Sequence, residues 1–336
     1  MKDIWLKKWS AVSLILLFIG VAVAPGISQR TVSAFHDGYP VETTTETARS
    51  SAGTKGEDIE TMAITFESND YTLYGEIFYP SASGLYPGIV FCEGLAGYVE
   101  AYSWIPKALA EQGYVVLIYD YPGQGRSEGF LGNRNISIPS LNFYLRFSAL
   151  FEEGYYYVTD KLVKATMDAV TYLTNESPVR TLIDRETIGL IGHSLGSFTD
   201  TETAVFDERI DAVVALSQGN LIHAEEIDVP VQFQFGCFDI TCSFPISYFC
   251  YKRVHSPKEL IAIQGGTHIG FTTAFGKYCL CPPWQKEICL HYAIGWFDYF
   301  LKNKPDAYET ITTSTDHLSK ILRSRYDFGD GEHLLH

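Results

Sequence analysis

Positive charge is scarce in this sequence: 25 Lys and Arg stand against 40 Asp and Glu, a formal net charge of −15 at pH 7. A surface of that sign repels polyanions, so nucleic acid is not expected as a partner. No internal repeat is visible, which argues against a solenoid or a propeller. No Cys-x2-Cys pair is present either, and Cys279-Leu280-Cys281 is weak as zinc-ligand spacing. Neither a metal nor a cofactor is therefore expected. Aromatics, by contrast, are plentiful at 22 Tyr, 21 Phe and 5 Trp, and they suit apolar clefts as well as core. At 336 residues the chain can bury a full core, and one large α/β domain with tails is expected.

The N-terminus reads as a targeting segment. Lys2, Lys7 and Lys8 precede an apolar stretch from Ala11 to Ala24, followed by Pro25 and Gly26. Cleavage after Ser28 is one outcome, and retention of residues 1–28 as a membrane anchor is the other; a full span needs about 20 apolar residues. Either way the protein is expected to be exported. Residues 29–58 lack apolar periodicity and read as a flexible linker, and residues 305–336 as a polar tail in which Leu318 to Arg325 has helical character. Of seven cysteines, Cys92 stands alone in an apolar run. Cys237, Cys242, Cys250, Cys279, Cys281 and Cys289 cluster, and in an exported protein they are expected to form three disulfides of unassigned pairing.

The most informative stretch is Gly192-His-Ser-Leu-Gly196, directly behind the apolar run Thr187–Ile191. It reads as strand, hinge and helix with Ser194 at the apex. A nucleophile on so sharp a turn leaves no room for side chains two residues to either side, hence the two glycines. The turn also aims the Leu195 N–H, at the start of the helix, toward developing negative charge. A second Gly-x-Ser-x-Gly occurs at Gly125–Gly129, but a loop-like stretch follows it, and Ser127 reads as a loop residue.

Strands are expected over Met62–Glu67 and Thr72–Tyr79 (an opening hairpin), Gly88–Cys92, Tyr114–Asp120, Ile188–Ile191, Ile210–Leu216, Val229–Phe235 and Leu260–Ile263. Helices are expected over Tyr102–Gln112, Val158–Leu173 and Trp284–Leu301. This alternation implies a mostly parallel eight-stranded sheet with helices on both faces and a site beyond the carboxyl ends of the strands. One such end runs into Asp239 and the next into His268, in the chain order Ser…Asp…His. A serine nucleophile needs a base, and the base needs an orienting acid, so Ser194, His268 and Asp239 are the candidate triad. His193 reads as structural, with its side chain directed away from Ser194.

These residues resemble the α/β-hydrolase superfamily over residues 59–304. Tyr119–Gly129 resembles the loop that follows the family's fourth strand, commonly D-x-R-G-x-G-x-S. The resemblance is greatest to the dienelactone-hydrolase-like and acetyl-xylan-esterase-like branches, because only Ser217–Asp228 separates strands six and seven and no large cap fits there. It implies a second oxyanion donor in the backbone N–H of Leu95, behind the third strand. Glu93 stands where the family usually has histidine; it must be paired or turned away, and Arg126 is a candidate partner.

The function implied is an exported serine hydrolase acting on small carboxylic esters through an acyl-enzyme. A peptidase or amidase of the same fold, and a non-catalytic binding protein that kept the fold, are the alternatives. An aromatic-rich insertion from Glu128 to Tyr157 reads either as a flap over the cleft or as helix packing.

Overall fold

Near-continuous apolar runs, rather than alternating ones, mark strands buried on both faces, and the central strands show why. In the strand Tyr86–Cys92, Ile89 and Phe91 enter one core while Val90 and Cys92 enter the other. In the strand Val115–Tyr119, Val116 and Ile118 face the first and Val115, Leu117 and Tyr119 the second. The computed structural model describes residues 58–131, 155–242, 244–255, 257–274, 282–314 and 325–327.

The chain opens with β1 (Ile59–Ser68), β2 (Tyr71–Pro80) and β3 (Tyr86–Cys92). Two short helices, α1 (Val99–Tyr102) and α2 (Trp104–Glu111), lead to β4 (Val115–Tyr119). There follow α3 (Tyr155–Thr171), β5 (Ile183–His193), α4 (Leu195–Phe206) and β6 (Ile210–Leu216). The second half contains β7 (Val231–Gly236), α5 (Phe244–Arg253), β8 (Lys258–Ile263), α6 (Pro283–Phe300), α7 (Ala307–Thr312) and β9 (Arg325–Asp327).

The sheet order is β1-β2-β4-β3-β5-β6-β7-β8-β9. Strands β4, β3, β5, β6, β7 and β8 run parallel, and β1, β2 and β9 pair antiparallel at the two edges. The eight expected strands are all present, and the mostly parallel α/β architecture with helices on both faces is as expected. Residues of α3 and α5 fill one core; α1, α2, α6 and Ile311 of α7 fill the other.

Two differences from expectation have local causes. The helix expected over Tyr102–Gln112 is split at Ser103 into α1 and α2. Pro106, one turn on, has no N–H to donate and its ring crowds the carbonyl of residue 102. The segment read as a polar tail also contributes structure: α7 packs on α6, and β9 extends the sheet beyond β8. Residues 1–57, most of the aromatic insertion, Cys279 and Cys281, and the helical stretch expected from Leu318 up to Arg325 lie outside the described residues. No helix among the described residues is long and apolar enough to cross a membrane.

The disulfide expectation is corrected. Cys237, Cys242, Cys250 and Cys289 are free thiols, as is Cys92. The sheet itself keeps two of them apart, for Cys250 lies in the core of α3 and α5 while Cys289 lies in the core of α6. Cys250 and Cys242 also have oxygen partners, Asn220 O and Gln218 Oε1, each at 3.0 Å. Denatured but unreduced protein should therefore titrate with at least five thiols; a count of one would restore the three-bridge arrangement.

Candidate active site

The turn from β5 into α4 is seated directly on the end of β3. A Cβ at Gly196 would lie 2.0 Å from the Cys92 carbonyl oxygen, and one at Gly192 2.9 Å from it. Only glycine fits at either place. Ser194 between them adopts φ 56° and ψ −112°, a conformation non-glycine residues rarely hold without support. Its N–H donates to Leu216 O of β6 at 2.9 Å, which ties the hinge to the neighbouring strand.

Asp239 and His268 leave the ends of β7 and β8. The Asp239 Oδ2 lies 2.8 Å from His268 Nδ1, with side chains 1% and 13% exposed. Asp239 Oδ1 accepts from the N–H groups of Thr241 at 2.8 Å and Cys242 at 2.7 Å, so the carboxylate has little freedom to turn. The two loops are joined by backbone: Cys237 N–H donates to Ile263 O and Phe238 N–H to Gly266 O, both at 2.8 Å. A Cβ at Gly236 would stand 2.3 Å from the Gly266 carbonyl carbon, so this approach also depends on glycine.

Burial disfavours the His268 imidazolium, but the Asp239 carboxylate outweighs it and holds the pKa above the ordinary histidine value. Cys242, only 4% exposed, has its sulfur within 4.8 Å of donor atoms of both Asp239 and His268, and Ser194 is near enough to influence its thiol. Burial raises its pKa, which keeps it a neutral thiol. Ser194, Asp239 and His268 thus follow the carboxyl ends of β5, β7 and β8, with this sulfur beside the last two.

His193 is not simply directed away. Its ring lies 4.6 Å from that of His268, centroid to centroid, and its Nδ1 is 2.8 Å from Tyr102 Oη. Burial first, and His268 second, hold its pKa well below the usual value. Tyr102 Oη also accepts from Gly94 N–H at 3.3 Å, which links the elbow to the loop behind β3.

In that loop the N–H groups of Gly94, Ala96 and Gly97 are engaged by Tyr102, Gln124 and Gly94 O. The Leu95 N–H has no acceptor among the described residues. Leu195 is the first residue of α4, where no intrahelical acceptor exists for its N–H. Glu93 is fully buried and turned into the protein: its Oε1 accepts from Tyr121 N–H at 2.9 Å and Gln124 Nε2 at 2.6 Å. Arg126, expected as its partner, pairs instead with Glu100 and lies 4.2 Å above the Tyr74 ring. Ser127 is a buried loop residue that donates to Asp120 O at 2.6 Å and accepts from Tyr74 N–H at 2.9 Å.

Sequence reading missed three supports. Cys242 was grouped with the disulfides. Gln218 holds its thiol from the loop after β6. Gln285 of α6, fully buried, accepts from Thr267 N–H at 3.1 Å and donates to Thr267 O at 2.9 Å, clamping the residue before His268.

Residues 87–236 match the family described as the alpha/beta hydrolase fold, a region that includes the Ser194 elbow and ends at the last residue of β7. The chain is similar to a bis(hydroxyethyl) terephthalate hydrolase of Streptomyces coelicolor, at 25% identity over 209 residues. That match takes in 61% of this chain and 56% of the relative, so it spans little more than half of the relative's length.

Replacing Gln285 by Ala removes both hydrogen bonds to Thr267: the Thr267 carbonyl keeps the Gly270 N–H at 3.2 Å, while its own half-buried N–H loses the Gln285 acceptor. Stability should fall by about 1–3 kcal/mol in urea unfolding. An unchanged midpoint would show that the clamp is not under load.

Proposed function

This chain belongs to the α/β-hydrolase superfamily, and on that premise we propose that it is a serine hydrolase of carboxylic esters. Ser194 Oγ attacks the acyl carbon while His268 takes its proton. Asp239 fixes the imidazole tautomer and stabilises the imidazolium that forms. The N–H groups of Leu195 and Leu95 receive the oxyanion. The alkoxide departs with the proton from His268, and water, activated by the same imidazole, releases the acid.

The observation that carries this reading is the 2.8 Å Asp239–His268 pair beyond the ends of β7 and β8, with Ser194 on a strained strand-to-helix hinge beyond the end of β5. Phe238 and Ile240, the neighbours of Asp239, are 68% and 76% exposed and offer apolar surface beside the site. With a relative named for an aromatic diester, this supports esters of apolar or aromatic acids as the substrates to try first. The basic flank and apolar stretch of residues 1–28 support export as part of the same proposal.

A fluorophosphonate probe should label the protein at Ser194. Ser194→Ala should lower kcat/KM for a p-nitrophenyl ester by about 10³-fold or more while the fold is kept. Ser127→Ala, which leaves Tyr74 N–H and Asp120 O short of a partner, should cost about 1–3 kcal/mol of stability and leave kcat/KM within a few-fold. Equal losses of activity in the two variants would overturn the choice of nucleophile.

His268 must be neutral to accept the proton, so activity should rise as pH climbs through its raised pKa. The acid limb of kcat/KM should lie above about 6.5, the unperturbed histidine value. Stability has the opposite sign. A folded pKa above the unfolded one means that the His268–Asp239 pair stabilises fully below about 6.5, and that this contribution is lost as pH rises through the folded pKa. A pH–rate profile paired with urea unfolding from pH 5 to 10 checks both. A limb at or below 6.5 with wild-type protein would contradict the assignment.

A further inference from the structure

We infer that Asp239, Cys242 and His268 form a binding site for a thiophilic divalent cation of the Zn²⁺ class, and that an ion held there blocks the site. Only the blocking half rests on the reading of Asp239 and His268 as acid and base; the binding half stands on geometry and donor chemistry.

One donor atom from each of the three residues lies within 4.8 Å of the other two, with Asp239 and Cys242 buried and His268 partly so. Zinc bonds of about 2.0–2.3 Å in a tetrahedron space the ligands roughly 3.3–3.8 Å apart, so the side chains need to close by about an ångström. Sulfur, imidazole nitrogen and carboxylate oxygen together suit zinc, whereas magnesium and calcium take oxygen almost alone. The charges also suit it. A thiolate and a carboxylate neutralise a dication in a place where an unbalanced charge is costly. Three protein ligands leave a fourth position open to water or another donor.

The neutral thiol has a neighbour that can turn to receive a thiolate once an ion binds. The Cys242 thiol lies 3.0 Å from Gln218 Oε1, and a turn of that amide would present its NH2 group to the sulfur instead. The Asp239 carboxylate is held by the Thr241 and Cys242 N–H groups and does not depend on His268 for its position. On binding, the Cys242 S–H bond breaks, the S–Zn bond forms and the proton passes to solvent. His268 contributes a ring lone pair, and a second proton is released wherever the imidazolium prevails. Nothing is oxidised or reduced. With that lone pair engaged, His268 has none to offer the Ser194 proton.

Two titrations of the reduced full-length chain test this: ZnCl2 by calorimetry, and Co²⁺ followed by its thiolate charge-transfer absorption in the near ultraviolet. Wild-type protein should bind the ion and show the band; its absence overturns the proposal without any variant. Affinity should rise with pH, since protons are released. It should fall by at least about 10²-fold in Cys242→Ala and in His268→Ala, with circular dichroism as the check on folding. Ser194→Ala should still bind. Undiminished binding in folded Cys242→Ala would place the ion on other thiols and overturn the site. In wild-type protein, ester hydrolysis should fall with zinc and return with a chelator. Zinc bound through Cys242 and His268 without loss of hydrolysis would uphold the site and overturn His268 as the base.

Discussion

The contact between the β5–α4 turn and the carboxyl end of β3 is the constraint on which the rest of the site depends. Because neither Gly192 nor Gly196 carries a Cβ, the turn sits within touching distance of the Cys92 carbonyl. That approach brings the start of α4, with its free Leu195 N–H, beside the loop that leaves β3 with its own free Leu95 N–H. The crowding also sets the positive φ of Ser194, a strain the surrounding packing must hold. Asp200 lies beneath: a Cβ at Gly192 would come 2.3 Å from its Oδ2. Burial raises the pKa of that carboxyl well above its ordinary value, so the group under the hinge is neutral and adds no charge to the site.

The second half of the site is organised by a different device. The Asp239 and His268 loops meet through two backbone hydrogen bonds and the close passage of Gly236 over Gly266. This is the task that the clustered cysteines were expected to perform by cross-linking. Main-chain pairing that continues β7 and β8 past their ends does it without sulfur, and it leaves the Cys242 thiol available to face Ser194 and His268. Gln285 closes the arrangement from α6, so the His268 loop is held by the sheet on one side and a helix on the other.

Such a division explains what was legible in the sequence. The hinge at Ser194 is legible through two glycines and the apolar run before them, because the steric demand is local. The positions of Asp239 and His268 just past strand ends are legible because apolar runs report strands buried on both faces. Cys242, Gln218 and Tyr102 were not found, because their roles depend on partners from other strands, and periodicity is silent about cross-chain contacts. The cysteine misreading has the same origin: spacing along the chain says nothing about which face of a sheet a thiol enters, and Cys250 and Cys289 enter opposite ones. Glu93 was recognised as a charge in a sensitive place, but its rotamer, turned onto Tyr121 and Gln124, was beyond sequence. The break before Pro106 was legible in principle, for proline's missing N–H is a local rule.

Electrostatics draw these pieces together. In the proposed mechanism, proton transfer from Ser194 would place an imidazolium at His268, whose side chain is 13% exposed, and its cost depends on what surrounds it. The Asp239 carboxylate, at 2.8 Å, favours it. His193, with its ring only 4.6 Å away, would oppose it if protonated, but burial keeps that ring neutral and the Tyr102 hydroxyl engages its Nδ1. Cys242 stays a thiol for the same reason, and so competes with neither the serine for the base nor the carboxylate for the charge. A titratable cluster of an aspartate, two histidines and a cysteine thus has a single favoured place for positive charge, His268. Burial suppresses charge on His193 and Cys242, while the strand ends aim one carboxylate at the His268 imidazole.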